Sequence, residues 1–282
     1  MKRILGATVG LLAASATAMA ADLPVKAPMV APVMAPAFSW SGCYIGGNVG
    51  GKWAQSDGSV TVAPAGIGAG GLVAFGRTES SSLIAGGQLG CNIQTGNWVF
   101  GLEGDADWQR LRFSRTLGTA AVLPFPFVAG DFFDFRSDWQ ASARGRLGYA
   151  WDRWMIYATG GAAFINAKVG TNFIATTAGG VAFPATLTTD EKTLVGWTIG
   201  GGLEYAVTNN WIVGIEGRYS NYGTTTFNGG AVATIFTPST VAAGAGTFTF
   251  APSTQTLKLE TFEVMGRLSY KFDFGGPVVA RY

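Results

Sequence analysis

Alternation of apolar and polar residues is the feature that most limits the folds this chain can adopt. In the segment WVFGLEGDADWQ (98–109), Trp98 and Trp108 share one parity, whereas Glu103 and Asp105 share the other. Successive side chains of a β-strand face opposite sides, so this pattern predicts a strand with one apolar face and one acidic face.

The same alternation returns along the rest of the chain. It is found at 43–53, 83–94, 139–149, 154–167, 195–205, 211–220 and 262–272, although the facing of 154–167 is ambiguous. The connections at 95–97, 150–153 and 207–210 are short, whereas 54–81, 110–137, 168–192 and 223–256 are long and rich in Gly, Ala, Thr and Ser. Short turns at one end and long loops at the other are typical of an up-and-down antiparallel barrel.

The charged residues indicate which face of the barrel is inside. A soluble barrel of the lipocalin type alternates in the same way, but it buries its apolar face. Here the polar parity carries a set of charges that a dry core would not accept, so we expect the apolar face to contact lipid. These charges form a predicted lumen network of Glu103, Asp105, Asp107, Arg144, Arg146, Glu204, Glu216, Arg218 and Arg267.

The fold class predicted from these patterns is all-β: an eight-stranded transmembrane antiparallel β-barrel with short periplasmic turns and long extracellular loops. A helical membrane protein is excluded, because outside the N-terminus no run of about 18 apolar residues occurs. Aromatic residues flank the short turns, as expected of a girdle at one membrane surface. The girdle residues are Trp98, Tyr149, Trp154, Tyr205, Trp211 and Tyr270.

The N-terminal segment predicts export. Lys2 and Arg3 precede an apolar stretch that ends in an A-x-A site, so we expect residues 1–20 to be a cleaved secretory signal. The Pro- and Ala-rich segment 21–39 is then a periplasmic linker, and 40–282 the barrel domain in the bacterial outer membrane. Cleavage removes two of the 19 basic residues and leaves 17 against 17 acidic ones. That balance gives no reason to expect nucleic-acid binding.

Several segments resemble a known family. WSGCYIGGNVGGKW, GGQLGCNIQTGNWVFGLEGDADW, GRLGYAWDRWMIYATGGAAF and VMGRLSYKF are similar to the porin-like surface antigens of Gram-negative bacteria, the outer membrane immunogenic protein type. The resemblance covers roughly 38–282. It implies an eight-stranded outer-membrane barrel with exposed loops and supplies no catalytic residues. It also implies that barrel-assembly machinery recognises a C-terminal aromatic residue, here Phe272 or Tyr282.

The chain offers little chemistry for catalysis. It contains no histidine, which excludes Ser-His triads and His-based metal sites. Glu103, Asp105 and Asp107 could be paired carboxylates for acid–base work, but an ion network with arginines is favoured. GGNVGGKW (46–53) mimics a phosphate loop, yet Trp53 replaces the required Ser or Thr and no helix follows. We therefore expect no enzyme activity, no cofactor and no metal.

Cys43 and Cys91 are the only cysteines. Both have the outward parity and lie near the periplasmic ends of the first two strands, where antiparallel pairing could place them opposite one another. Export favours a disulfide, whereas a register slip of two residues would separate the pair and leave two small lipid-facing hydrophobes. The sequence leaves both alternatives open.

Function is predicted only in outline. The pattern favours a structural, surface-antigen role in the outer membrane, with weak passage of small solutes as an addition. The alternatives are a diffusion porin for small hydrophilic solutes and an adhesin or receptor that acts through its loops. Eight strands leave a lumen that side chains can fill, which disfavours the porin. The expected partners are outer-membrane lipid and the assembly machinery, and the sequence does not identify an extracellular partner.

Overall fold

The computed structural model describes residues 38–62, 71–116, 121–122, 125–126, 132–173, 176–178, 181–183, 186–236 and 247–272. The predicted signal segment, nearly all of the predicted linker and Tyr282 lie outside these residues. No helix that could cross a bilayer occurs within the described ranges.

The strands close into an antiparallel barrel. In chain order they are β1 (Gly42–Val62), β2 (Gly71–Thr95), β3 (Trp98–Thr116), β4 (Ala121–Val122), β5 (Phe125–Pro126), β6 (Phe132–Trp151), β7 (Trp154–Phe173), β8 (Thr176–Ala178), β9 (Val181–Phe183), β10 (Thr186–Ala206), β11 (Trp211–Phe236) and β12 (Thr247–Phe272). The pairs β4–β5 and β8–β9 are short hairpins, and the other eight strands form the closed order β1-β12-β11-β10-β7-β6-β3-β2. The eight-stranded up-and-down barrel is therefore confirmed.

The short connections lie where the sequence placed them. Gly96 (φ 61°) and Asp152 (φ 54°) occupy the left-handed region in the β2–β3 and β6–β7 turns. Glycine adopts this conformation without steric cost, and aspartate tolerates it better than most residues, so both suit tight hairpins. The 207–210 segment joins β10 to β11.

The bounds expected for the long connections were wrong. β1 continues to Val62 and β2 begins at Gly71, so most of 54–81 is paired strand rather than loop. The strands on either side of the other long connections also extend well into them. Outside the membrane the outward face needs no apolar residues, so the hydropathy signal ends although the hydrogen-bonded ladder continues.

Aromatic pairs surround the turn end of the barrel, where the sequence predicts a girdle at one membrane surface. The predicted girdle residues face outward as cross-strand partners, which suits amphipathic rings at the headgroup level. Their ring centroids are 5.4 Å apart in Trp98–Tyr149, 4.6 Å in Trp154–Tyr205 and 5.2 Å in Trp211–Tyr270.

A second aromatic level, which the sequence analysis did not identify, lies further along the strands. We call it the upper girdle, and its members are Trp53, Trp108, Trp139, Trp197, Tyr219 and Phe262. Trp98 and Trp108 on β3 belong to the two levels. Ten residues of tilted strand span about 25 Å, the height of the apolar band of outer-membrane barrels.

Both faces of the strands change chemistry beyond the upper girdle. On the inward face of β3, buried Asp107 and Gln109 are followed by buried Leu111. On its outward face, exposed Trp108 is followed by exposed Arg110 and Arg112. We call this outer part the cap. Its interior is apolar and contains Ala54, Val60, Leu111, Phe113, Phe133, Phe135, Ala163, Ile165, Ala167, Val169, Leu194, Tyr222, Phe227, Leu257 and Leu259. The cap therefore has the facing of a soluble β-protein, the reverse of the membrane part.

The barrel wall divides into two sheets within the cap. The β2–β3 ladder ends at Ile84–Gln109 and the β10–β11 ladder ends at Trp197–Asn221. The remaining ladders leave β3-β6-β7-β10 as one sheet and β11-β12-β1-β2 as the other. The apolar cap residues come from strands of both sheets and form one cluster, as in a sandwich.

Candidate functional site

The inward face of the membrane part forms a network of buried ion pairs, and its centre is a ring of four side chains. Arg144 contacts Glu103 (2.5 Å) and also Glu216, while Arg267 contacts the same two glutamates. β3, β6, β11 and β12 each contribute one of these residues. Each carboxylate of the ring therefore lies between two guanidinium groups.

A second layer lies between the ring and the cap. Arg218 contacts Asp105 (2.9 Å), Asp107 (3.2 Å) and Glu263 (2.6 Å). Lys52 lies 3.1 Å from Glu263, so that acid also lies between two cations. These side chains are almost fully buried. The alternating charges compensate one another, which makes burial of so many ions tolerable.

The layer on the periplasmic side combines an ion pair with two tyrosines. Arg146 pairs with Glu204 (2.5 Å), and its guanidinium lies 3.7 Å from the centroid of the Tyr157 ring. The Tyr157 hydroxyl donates to Glu216 (2.8 Å), and the Tyr44 hydroxyl donates to Glu103 (2.5 Å). The tyrosines thus connect this layer to the ring.

Inward-facing glycines make room for these tyrosines. A Cβ added at Gly90 would lie 2.5 Å from the Tyr44 hydroxyl, and one at Gly202 would lie 2.6 Å from the Tyr157 hydroxyl. Both distances are too short for a side chain, so each ring lies directly over the bare backbone of its register partner on the neighbouring strand. The glycines on the polar parity are therefore part of the lumen packing.

The structure brings the predicted network residues together, and it adds members that the sequence analysis missed. Lys52, Glu263, Tyr44, Tyr157 and Gln140 all have inward parity, which is the signal that could have identified them. Gln140 donates to Asp107 (3.0 Å) and Glu263 (3.2 Å). The ambiguous segment 154–167 is resolved as well, because Tyr157 faces the lumen.

The residues before β1 close the periplasmic mouth of the lumen. Trp40 is fully buried in a cluster with Val99, Met155 and Ile212, and its backbone N–H donates to Gln94 (2.7 Å). Packed against this cluster is Phe38, whose ring has the ammonium of Lys271 at 4.5 Å and the guanidinium of Arg153 at 5.6 Å. The sequence analysis assigned Phe38 to a plain linker and gave Trp40 no role.

Other predicted site residues lie on the outer wall. Cys43 and Cys91 are Cα partners in the β1–β2 ladder, and their sulfurs are bonded. Phe272 ends β12 and faces outward, with 43% of its surface exposed. Tyr282 is not among the described residues.

The arrangement obstructs the lumen at three levels. The cap cluster lies at the extracellular side, the ion network in the membrane part, and the Trp40 cluster at the periplasmic mouth. The described residues contain no group of three or more His, Cys, Asp and Glu side chains suited to a metal ion. The site is thus a filled interior rather than an open cleft.

Comparison with known proteins identifies the family. A family model described as an outer membrane protein β-barrel domain matches residues 7–272. The 31 kDa outer-membrane immunogenic protein of Brucella melitensis is 33% identical over 143 residues, which cover 47% of this chain and 57% of that protein. The 22 kDa outer membrane protein of Rhizobium leguminosarum is 32% identical over 140 residues, which cover 49% of this chain and 52% of that protein. The chain thus spans about half the length of these curated relatives.

Among solved structures, the outer membrane protease OmpT of Escherichia coli is similar with a TM-score of 0.44 and 11% identity, over 85% of this chain and 99% of that one. The family model covers nearly the whole sequence, and its description agrees with the closed barrel. The chain belongs to the outer membrane protein β-barrel domain family and is an outer-membrane protein of bacteria.

Proposed function

We propose that the protein is a non-conducting structural barrel and surface antigen of the outer membrane, without catalytic activity. The observation that carries this proposal is the lumen obstructed at three levels. A hydrated ion would have to pass the Trp40 cluster, the Arg144–Glu216 layer and the apolar cap interior in turn. Curated relatives are named outer-membrane immunogenic proteins, which supports the antigen role.

The charge pairing supports the absence of catalysis. General acid–base catalysis needs a carboxyl group that can exchange a proton with a bound substrate. Here Glu103 and Glu216 each lie between Arg144 and Arg267, in a lumen filled by side chains. Such an arrangement suits structural ion pairs.

The diffusion porin is the competing function, and conductance separates the two. The refolded full chain would be inserted into a planar lipid bilayer, with a 16-stranded porin as positive control. We expect no steady ohmic current, because eight strands enclose only the volume that side chains fill. A large, steady current from the wild-type chain would refute the structural role.

A variant shows whether the ion network alone blocks the lumen. Arg144→Ala removes the guanidinium that contacts Glu103 and Glu216, yet the Trp40 cluster and the cap remain. We therefore expect this variant to stay closed. A steady current from this variant would show that the Trp40 cluster and the cap do not block ions, and that the ion network alone closes the lumen.

Two partners belong to this proposal. Outer-membrane lipid covers the apolar outward face between the two girdles. The assembly machinery recognises the last strand through an aromatic residue, for which Phe272 is well placed because it ends β12 and faces outward. Phe272→Ala would then lower the assembled fraction in cells without changing the stability of refolded protein.

A further inference from the structure

A groove opens on the outer wall where the β2–β3 ladder ends. Its volume is about 720 Å³, and its lining includes Val49, Leu83 and Trp108 from the lipid-facing side. Leu83 is 81% exposed and Trp108 is 73% exposed, so the floor of the groove is apolar and uncovered. Arg110 and Asp138 form its rim on the cap side. We call this feature the seam groove.

Two arginines beside the seam groove have no carboxylate partner in the described part of the chain. Arg110 and Arg112 are exposed on β3, and no ion pair involves either one among the residues that the structure describes. Arg112 lies directly opposite Arg136 in the β3–β6 ladder, a cross-strand pairing of like charges that destabilises a sheet. Arg110 and Arg112 thus place two cations beside the groove without an ion-pair partner among the described residues.

The acids near the groove do not neutralise this charge. Asp138 pairs with Lys168 (3.3 Å), and Asp134 accepts from Arg136 (2.5 Å). Exposed cations elsewhere on the cap do have acidic partners, as Lys258 has in Glu260 (2.8 Å). Arg110 and Arg112 are therefore available to an anion from outside the chain.

We propose that the seam groove binds a phosphate-bearing lipid of the outer leaflet. Its phosphate contacts Arg110 and Arg112, and an acyl chain lies along Leu83 and Trp108. A guanidinium matches the geometry of phosphate oxygens and forms paired, charge-assisted hydrogen bonds with them. The groove lies at the upper girdle, so its arginines are at the headgroup level and its floor is at the level of the acyl chains.

The alternative occupants fit this site less well. Free phosphate would not cover the apolar floor. A second copy related by a twofold axis at this groove would place the arginines of both copies in one interface, which like-charge repulsion opposes. An amphipathic anion would cover the apolar floor with its acyl chain and place its charge beside the arginines.

The test measures lipid binding to the refolded full chain in uncharged detergent micelles by native mass spectrometry. The probe is a hexa-acylated, bis-phosphorylated glucosamine disaccharide lipid, compared with the same lipid after removal of its phosphates and with inorganic phosphate. We expect Arg110→Gln and Arg112→Gln each to weaken binding of the phosphorylated lipid by about tenfold. Dephosphorylated lipid should bind wild type and variants with the same low affinity.

Lys258→Gln is the matched control, since it removes one exposed charge from the cap on β12, away from the groove. It should bind the phosphorylated lipid as wild type does. All variants would first be shown to be folded by their altered electrophoretic mobility before and after boiling.

Each contrary outcome refutes the proposal. Equal binding by Arg112→Gln and Lys258→Gln would show that the arginines do not hold the phosphate. If the dephosphorylated lipid bound as tightly as the phosphorylated one, the site would bind lipid through its apolar floor alone. Inorganic phosphate that binds as tightly as the lipid would indicate a free-anion site, and a dimer that dissociates in Arg112→Gln would indicate a second copy.

Discussion

At the residue scale, Arg144 connects more of the lumen network than parity alone suggests. It contacts Glu103, Asp105 and Glu216, and it also donates to Thr159 (3.1 Å). A planar guanidinium with several donors can satisfy carboxylates from three directions, whereas an ammonium group is a compact point charge. This residue is therefore the most informative position for testing the network.

Arg144→Ala should lower the free energy of unfolding by about 3–5 kcal/mol, because it leaves buried carboxylates without compensation. Arg144→Lys should recover only part of this loss. Urea unfolding of refolded protein provides the measurement. Arg77→Ala is the control, since Arg77 is exposed and lies 4.0 Å from Asp57, and an exposed pair contributes about 0–1 kcal/mol. Equal effects of the two alanine variants would show that water solvates the lumen charges.

The Cys43–Cys91 bond gives a second residue-scale prediction. Denatured, unreduced protein should contain no free thiol, and thiols should appear only after reduction. Because the bond closes a loop with a sequence separation of 48, its loss in Cys43→Ser should cost at most about 4 kcal/mol. Thiol counting with a chromogenic disulfide checks the first statement, and two free thiols before reduction would contradict it.

Parity assigns the charged residues to one face of their strands, but it does not give their pairing. It placed Glu103, Arg144, Glu216 and Arg267 on the inward face. It could not supply the partners, because strand shear decides which side chains meet across a lumen. Lys52 and Glu263 were missed although they follow the same parity, and no local pattern indicated that Trp40 would pack into the barrel mouth.

At the element scale, the outward face of each barrel strand passes from lipid in the membrane part to water in the cap. Val49 and Thr61 show the contrast on β1, since both face outward, Val49 toward lipid and Thr61 toward water beyond the upper girdle. Both also pair with strands on either side, β12 and β2. An unmade backbone hydrogen bond costs several kcal/mol in hydrocarbon, but water can satisfy the same group in the cap.

Proline substitution at Val49 and Thr61 tests whether a lost backbone hydrogen bond costs more in the membrane part than in the cap. Val49→Pro should abolish the compact form that resists SDS without boiling, because proline removes a ladder hydrogen bond within the membrane part. Thr61→Pro should keep that form. Electrophoresis of boiled and unboiled refolded samples is the measurement. If Thr61→Pro were as damaging as Val49→Pro, the assignment of Thr61 to a water-exposed cap would be wrong.

The strand bounds explain why the sequence predicted the strands only within the membrane part. Hydropathy alternation is strong where one face meets lipid, so the turn ends of all eight barrel strands were predicted well. In the cap, small polar residues such as Ser80 and Ser82 carry no clear periodicity. Their hydroxyls instead form hydrogen bonds between β2 and β3 beyond the end of the ladder. The Ser80 hydroxyl donates to the carbonyl of Arg112 (2.8 Å), and the Ser82 hydroxyl accepts from the backbone N–H of Arg110 (3.1 Å). Such contacts depend on tertiary position and have no sequence signature.

At the scale of the whole molecule, the two girdles set the depth of the barrel in the membrane. The outer-membrane barrel plan, with short periplasmic turns and long extracellular connections, places the cap outside the cell. A labelling experiment tests this. In a Cys43→Ser/Cys91→Ser background, Ser114→Cys in the cap should react with a membrane-impermeant maleimide on intact cells. Asn209→Cys in the β10–β11 turn should react only after the outer membrane is permeabilised. The reverse pattern would invert the orientation.

The ordered cap changes what an antibody would recognise at the cell surface. Lys168 of β7 lies 3.3 Å from Asp138 of β6 and 3.6 Å from Glu191 of β10, so one small patch combines residues from three strands. An antibody footprint on this patch is a conformational epitope, present in the folded barrel and lost when the strands separate. Sera raised against native cells should therefore bind unboiled protein far better than boiled protein, and short linear peptides from these strands should compete weakly.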